Sequence, residues 1–114
     1  MEQVVEIRTY TLKEGMGERF HRVLHEQSLP LLRAAGADIV AAVPSRHAND
    51  AYALIRAYEN LNHRRESQDA FYGSAAWLEG PEESVMACIA SYTTLVIMAD
   101  TALITALRSI MRTR

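Results

Sequence analysis

Two stretches of alternating side chains constrain the fold of this chain more than any other feature. In a strand, residues 4–10 would place Val5, Ile7 and Thr9 on one face and a carboxylate, a guanidinium and a phenol on the other. Residues 52–58 repeat the design. The more polar set comprises Val4, Glu6, Arg8, Tyr10, Tyr52, Leu54, Arg56 and Tyr58. We expect the first face to pack against helices and the polar face to line a pocket.

The rest of the chain alternates between helical and extended patterns. Helical spacing predicts a helix over about 18–35, ended by Gly36 and kinked or restarted near Pro30. The elements predicted after it are strands at 38–43 and 51–58, a helix from Asn60 or Asn62 to Tyr72, a short helix capped by Ser74, a helical piece from Glu82, a strand at 88–98, and a final helix capped by Asp100.

This order of elements predicts one α+β architecture. A β-α-β-β-α-β chain favours a ferredoxin-like sheet with helices on one face, here with an added C-terminal helix. The first and third strands are central neighbours in that arrangement. We therefore expect Arg8 near Arg56 and Tyr10 near Tyr58 on the polar face.

A single sheet with helices on one side leaves its other face uncovered. An exposed face rich in tyrosine and aliphatic side chains is typical of an interface. A second copy packed on it by a two-fold axis would cover it, so we expect a homodimer. Glu6, Arg8 and Arg56 would then lie between the two sheets and would need partners or a ligand.

Composition excludes several classes of protein. The 114 residues are 49% hydrophobic and 23% charged, which is typical of one folded domain. Lys plus Arg total 12 against 14 Asp plus Glu, without a basic stripe, so nucleic acid is not an expected partner.

No membrane span or secretory signal is expected. Asp100 would lie near the middle of any membrane span through the apolar run at 85–107, and Met1 leads directly into a strand pattern. We expect a cytoplasmic protein without a membrane partner, in which the single thiol of Cys88 is buried.

Two longer motifs resemble the NIPSNAP family. They are Val-Glu-Ile-Arg-Thr-Tyr-Thr-Leu-Lys-Glu-Gly at 5–15 and Arg-Arg-Glu-Ser-Gln-Asp-Ala-Phe-Tyr-Gly-Ser-Ala-Ala-Trp at 64–77. Residues 58–61 and 89–92 fit the same pattern. The likeness extends over roughly residues 3–98, and Asn62-His63 departs from it where the family often has acidic residues.

The resemblance implies a dimeric α+β barrel over residues 1–98, followed by a helical extension at 99–114. It implies no single reaction, because the wider superfamily includes cofactor-independent monooxygenases, small cyclases and isomerases, haem-binding enzymes and proteins with no known activity. We expect the extension to cover a pocket mouth or to build a larger oligomer.

The arginines of the polar face are the first candidates for a site. Arg8 and Arg56 with Glu6 leave an excess positive charge that could bind and orient a carboxylate or an enolate. The alternative is an ion-pair network that only holds the sheet in register. The aromatic candidates could stack on a substrate or donate a phenolic proton, or could be core side chains: Tyr10, Tyr52, Tyr58, Tyr92 and Trp77.

Histidine supplies the remaining candidates. His21 and His25 are four residues apart and share one helix face, but the spacing identifies no third metal ligand, so no metal is expected. His25 could act as a general base, although a merely solvated role is the alternative. No flavin, nicotinamide or phosphate-loop signature is present, and no local motif marks a haem ligand.

These observations support one leading hypothesis and two rivals. The leading hypothesis is a cofactor-independent isomerase, cyclase or monooxygenase acting on a small, partly aromatic carboxylate or enolate. Arg8, Arg56 and His25 would act on the substrate, and Glu6 and the aromatic candidates would help bind it. The rivals are a non-catalytic sensing or assembly module and a haem-binding protein.

Overall fold

The computed structural model describes the backbone of residues 2–112 and the side chains of residues 3–109. Its strands are β1 (Glu2–Leu12), β2 (Asp38–Pro44), β3 (Ala51–Tyr58) and β4 (Ile89–Asp100). Its helices are α1 (Gly17–Val23), α2 (Leu29–Ala34), α3 (Leu61–Tyr72), α4 (Ala75–Leu78), α5 (Glu82–Met86) and α6 (Thr101–Arg112). The strands form one antiparallel sheet in the order β2-β3-β1-β4, so the predicted ferredoxin-like α+β fold is confirmed.

Local chemistry sets several helix boundaries where the sequence predicts them. Asn60 accepts a hydrogen bond from the backbone N–H of His63 at 2.7 Å, and Ser74 accepts one from Trp77 at 3.3 Å. Asp100 is the last residue of β4 and caps α6 by accepting from the N–H of Leu103 at 2.9 Å. Gly36 ends the first helical region with a φ of +92°, a backbone conformation that is unfavourable for residues with a Cβ atom. These predicted caps and this predicted stop are confirmed.

A π-helical turn separates α1 from α2. It spans Leu24–Ser28, and the N–H of Leu29 bonds back to the carbonyl of Leu24. Pro30 follows in the first turn of α2, where its missing N–H costs little hydrogen bonding. The prediction that a second helix begins near Pro30 is confirmed.

The prediction of which sheet face meets the helices is wrong. α1 to α5 pack over the polar face, where Tyr10, Leu12, Tyr52 and Leu54 join the main core with Phe20. Val5, Ile7 and Thr9 point to the opposite side, which we call the open face. Long side chains on β1 and β3 find hydrogen-bonding partners on α3, so the polar face can be buried without leaving its charges unpaired.

The strand register also corrects the predicted neighbours. β1 and β3 are adjacent, as expected, but they run antiparallel, so Glu6 lies opposite Arg56 and Tyr10 lies opposite Tyr52. Tyr58 lies opposite Val4, far from Tyr10. Arg8 is a diagonal neighbour of Arg56 and not its direct partner.

The C-terminal helix folds back over one end of the open face. Ile104 and Leu107 pack on Val5, Ala57 and Ala99, which join them in a second, smaller core cluster that also includes Val40. The guanidinium of Arg108 donates to both carboxylate oxygens of Asp38 at 2.6 Å, which ties the helix to β2. Of the side chains expected on this helix, those of Ile110, Met111, Arg112 and Arg114 lie outside the described residues.

Candidate functional site

One buried carboxylate organises the space between the sheet and α3. Glu6 and Arg56 are both 0% exposed, and the Arg56 guanidinium donates to Glu6 Oε2 at 2.5 Å. The other carboxylate oxygen, Oε1, accepts from Arg64 Nε at 2.6 Å and from Gln68 Nε2 at 2.7 Å. Arg8 lies farther off, with its guanidinium 3.6 Å from Glu6 Oε2. Three guanidiniums therefore surround one carboxylate.

Helix α3 supplies the polar partners that the sequence reasoning missed. Arg64, Gln68 and Tyr72 are spaced four residues apart, so they share one helix face, and that face lies on the sheet. Tyr72 accepts from Arg56 at 2.8 Å, and Gln68 also donates to the Tyr58 hydroxyl at 3.0 Å. The spacing was readable from the sequence, but a polar stripe on a helix usually faces solvent.

The charges of this cluster hold each other ionised. Burial alone would raise the pKa of Glu6, but the Arg56 charge, the Gln68 hydrogen bond and the Arg8 charge together lower it to about 2. Burial alone would lower the pKa of Arg56, and the neighbouring Tyr72, Tyr58 and Glu6 instead raise it above its ordinary value. The cluster therefore carries net positive charge throughout the physiological range.

This pKa predicts a loss of stability in acid. The carboxyl of Glu6 titrates at about 2 in the folded state against 4.5 ordinarily, so its stabilising effect is complete above pH 4.5 and is lost as the pH falls toward 2. The free energy of unfolding should fall by roughly 3 kcal/mol in total. Urea unfolding at stepped pH values should show this decline, and a Glu6→Gln variant should lack that part of it. An equal decline in both proteins would contradict the assignment.

An open cavity of about 500 Å³ lies beside this cluster, between the β1–β4 edge of the sheet and α3, α4 and α5. Four of the predicted site residues line it: Arg8, Tyr10, Trp77 and Tyr92. The other lining residues were not singled out from the sequence: Gln68, Asp69, Tyr72, Glu82, Val85, Met86 and Ile89. The cavity is therefore largely aromatic and aliphatic, with a few polar groups. Since α6 lies on the other face of the sheet, it does not cover this cavity.

Of the described residues that line this cavity, Arg8 alone carries a guanidinium. Its side chain is 13% exposed, its Nε donates to Thr94 Oγ1 at 3.2 Å, and it lies over the Tyr92 ring at 5.0 Å. Its NH2 group donates to Gln68 Oε1 at 3.4 Å. Because Arg56 and Arg64 bond to Glu6 at much shorter distances, the charge of Arg8 is the least compensated of the three.

The remaining polar groups of the cavity can donate or accept protons. Burial, with a smaller effect from Tyr72, raises the pKa of Tyr10 to about 12, so Tyr10 is a neutral phenol. Asp69 and Glu82 place carboxylates on the helical wall. The cavity is thus bordered by one guanidinium, the Tyr10 phenol and two carboxylates. Three further aromatic rings line it as well: Tyr72, Trp77 and Tyr92.

The other predicted site residues lie outside this cavity. Glu6, Arg56 and Tyr58 are buried behind Arg8 and Gln68. Tyr52 and His25 also lie outside the lining of this cavity and contact each other. The Tyr52 hydroxyl is 3.2 Å from His25 Nε2 and 2.6 Å from His21 Nδ1. The structure therefore divides the expected single set into a cavity group, a buried charge group and a histidine–tyrosine group.

Among the described residues, no group of three or more histidine, cysteine, aspartate or glutamate side chains is arranged to hold a metal ion. The rings of His21 and His25 do lie close together, with centroids 4.3 Å apart and ring planes tilted by 43°. Over residues 2–112, no helix is long and apolar enough to cross a membrane. Cys88 is fully buried, as predicted.

Comparison with known proteins identifies the fold. No family model and no curated protein matches the chain. A NIPSNAP family protein of unknown function from Agrobacterium tumefaciens superposes with a TM-score of 0.79 at 19% identity, over 85% of this chain and 87% of its own. A NIPSNAP-like domain protein from Burkholderia xenovorans gives 0.79 at 13% identity, over 87% and 86%. A putative antibiotic biosynthesis monooxygenase from Nitrosomonas europaea gives 0.67 at 17% identity, over 87% and 91%.

The chain therefore has the fold of NIPSNAP proteins, which putative antibiotic biosynthesis monooxygenases share. This confirms the resemblance seen in the two sequence motifs, at the level of the fold.

Proposed function

We propose that the cavity beside Arg8 binds a small, partly aromatic carboxylate or enolate, and that the protein is a cofactor-independent enzyme of the isomerase, cyclase or monooxygenase class. One observation carries the proposal. The guanidinium with the least compensated charge borders a cavity of about 500 Å³ lined by four aromatic side chains. Arginine pairs well with carboxylates, and aromatic walls bind a flat apolar ring.

The three reaction classes can share one first step. A carboxylate on the helical wall, Asp69 or Glu82, would accept a proton from the carbon next to a carbonyl group. The electron pair of that C–H bond would move onto the carbonyl oxygen, where the charge of Arg8 would stabilise the enolate. Tyr10 would stay a neutral hydrogen-bond donor because its pKa is about 12. The putative monooxygenases among the structural neighbours support oxygenation of this enolate, with molecular oxygen as the oxidant, as one continuation.

The predicted roles of the other residues change in this proposal. Arg56 and Glu6 would position Arg8 and Gln68 without touching the substrate, because neither is exposed. His25 is not part of the proposed first step, since its Nε2 lies beside Ala42 O and the Tyr52 hydroxyl. Arg8 is therefore the residue on which the proposal depends.

Phenylpyruvate tests the proposal, because it combines a ring, a carboxylate and an enolisable carbon. Trp77 is the single tryptophan and lines the cavity, so its fluorescence should report saturable binding. Phenylacetone lacks the carboxylate and pyruvate lacks the ring, and both should bind more weakly. Exchange of the phenylpyruvate methylene protons in D₂O, followed by NMR, should be faster with protein. Binding without exchange would favour a ligand sensor, and absence of binding would refute the proposal.

We also propose that the open face forms a homodimer interface, in agreement with the dimeric barrel that the resemblance implies. Leu95, 58% exposed, and Ile97 lie there beside Ile7 and Ile55, and α6 covers only one end. Contiguous exposed apolar side chains favour burial against a second copy. Whether α6 adds a larger assembly is a separate prediction.

Sedimentation equilibrium tests the dimer. The native protein should sediment as a dimer, and Leu95→Glu should shift it toward the monomer because it buries a charge in the interface. Leu61→Glu is the matched control, since Leu61 is 61% exposed at the start of α3 and away from the open face. A native monomer, or equal effects of the two substitutions, would refute the interface.

A further inference from the structure

A second cavity lies at the opposite end of the helix-covered side. It measures about 570 Å³ and is bordered by the β1–α1 turn, by α1 and by the β2–β3 loop. Its lining includes Glu18, His21, Ser45, Asn49, Asp50 and Tyr52, and it shares no residue with the cavity around Arg8. The function proposed above does not use it.

The wall of this cavity is closely packed. Gly17 allows the β2–β3 loop to approach, because a Cβ at this position would lie 2.6 Å from the carbonyl oxygen of Asn49. The N–H of Leu12 donates to the carbonyl of Asp50 at 2.7 Å, and the N–H of Gly15 donates to the Asp50 carboxylate at 3.3 Å. These contacts fix the position of the β2–β3 loop relative to α1, and the cavity lies between the two.

Three side-chain groups meet at the inner end of this cavity. Tyr52 is buried, and its hydroxyl lies 2.6 Å from His21 Nδ1, 3.2 Å from His25 Nε2 and 3.2 Å from the carbonyl oxygen of Ala42. His25 belongs to the π-helical turn, a departure from α-helix that is frequent at functional sites. A carbonyl oxygen only accepts, so His25 Nε2, at 3.1 Å from Ala42 O, carries a hydrogen.

Two proton arrangements then satisfy every group. In the first, the Tyr52 hydroxyl donates to His21 Nδ1, which leaves the hydrogen of a neutral His21 on Nε2. In the second, the hydroxyl donates to Ala42 O, and His21 Nδ1 donates to Tyr52. A neutral His21 then has a lone pair at Nε2. The two arrangements differ in the direction of the Tyr52 hydroxyl and in which ring nitrogen of His21 carries the hydrogen, so His21 Nε2 is a donor in the first and an acceptor in the second.

The charged side chains that line this cavity are acidic. Among the described residues, Glu18 and Asp50 are the charged residues in the lining, and the other titratable groups packed against His21 are His25 and Tyr52. Burial, followed by the proximity of His25, lowers the pKa of His21 below its ordinary value, so the imidazole is neutral at neutral pH. A neutral imidazole in a cavity that is also lined by two carboxylates favours a ligand that is positively charged and donates hydrogen bonds.

We infer that this second cavity is a binding site for a small amine or amino alcohol, in which His21 Nε2 bonds directly to the ligand and Tyr52 sets the tautomer of the imidazole. The site takes a cation, whereas the cavity around Arg8 takes an anion. The inference does not depend on the function proposed for that cavity.

Imidazole ¹⁵N NMR tests this inference with ethanolamine as the probe. Ethanolamine at up to about 50 mM should shift the His21 nitrogens in a saturable way at constant pH and ionic strength, and acetate should not. Trp77 fluorescence should stay unchanged, because Trp77 lines the other cavity. Tyr52→Phe should weaken ethanolamine binding roughly fivefold or more and change the tautomer ratio of His21.

Tyr58→Phe is the matched control, because it removes a hydroxyl from the same strand whose hydrogen bond goes to Gln68 and not to His21 or His25. It should leave the His21 response intact. Circular dichroism establishes that each variant is folded. An unshifted His21 in the native protein, or an equal shift with acetate, would overturn the inference regardless of how the variants behave.

Discussion

Replacing Glu6 with glutamine is expected to destabilise the folded protein by about 3–5 kcal/mol, because it leaves buried guanidinium charge without a counterion. Arg56 is fully buried and pairs with Glu6 at 2.5 Å, and Arg64 pairs with it at 2.6 Å. The glutamine amide keeps the shape and some of the hydrogen bonds but removes the negative charge. The loss should therefore come from electrostatics and not from a cavity.

Urea unfolding at neutral pH measures this loss, and Asp38→Asn is the matched control. Asp38 also binds an arginine at 2.6 Å, but its side chain is 43% exposed and that of Arg108 is 33% exposed. An exposed pair of this kind contributes about 1 kcal/mol or less. If the two substitutions cost the same, the Glu6 cluster is not the electrostatic centre of the fold.

Replacing Arg8 with glutamine is expected to weaken phenylpyruvate binding by about 30- to 100-fold. Charge-assisted hydrogen bonds to a carboxylate contribute about 2–3 kcal/mol, and glutamine removes the charge while leaving the cavity volume nearly unchanged. The Arg8 guanidinium comes no closer than 3.6 Å to Glu6, and its other hydrogen bonds go to uncharged groups. The loss in the free energy of unfolding should therefore be small compared with that of Glu6→Gln. Titration of Trp77 fluorescence measures the affinity.

Arg64→Gln controls for the general loss of positive charge. Arg64 bonds to the same carboxylate at 2.6 Å but is absent from the lining of the cavity. It should lower the free energy of unfolding more than Arg8→Gln does and should change phenylpyruvate affinity by less than about threefold. Equal losses of affinity in the two variants would assign the effect to net charge and would contradict direct contact by Arg8.

The elements themselves could be predicted because their signals are local. Asn60, Ser74 and Asp100 cap the helices that follow them, and Gly36 ends a helix with a positive φ. Each of these depends on a hydrogen bond or a steric limit within a few residues. The order of the elements then favours one sheet topology.

Only part of the candidate site can be predicted from the sequence, because the same polar pattern fits either face of a sheet. Glu6, Arg8 and Arg56 are too polar for an ordinary core, so their pattern predicts a face without helices, whereas the structure buries Glu6 and Arg56 beneath α3. Their burial became possible through Arg64, Gln68 and Tyr72, which come from a helix more than fifty residues farther along the chain than Glu6. Sequence spacing shows that these three share a face, but it does not show what that face contacts.

The sequence alone predicts the strands and helices, the ferredoxin-like order and several residues of the candidate site. Local propensity, capping and periodicity act over a few residues and are therefore readable along the chain. The packed structure is needed to show that Glu6 is the buried anion, that Arg8 borders a cavity while Arg56 does not, and that His21, His25 and Tyr52 form a separate group. Those outcomes depend on which distant side chains satisfy a buried charge, and that balance exists only once the helices pack on the sheet.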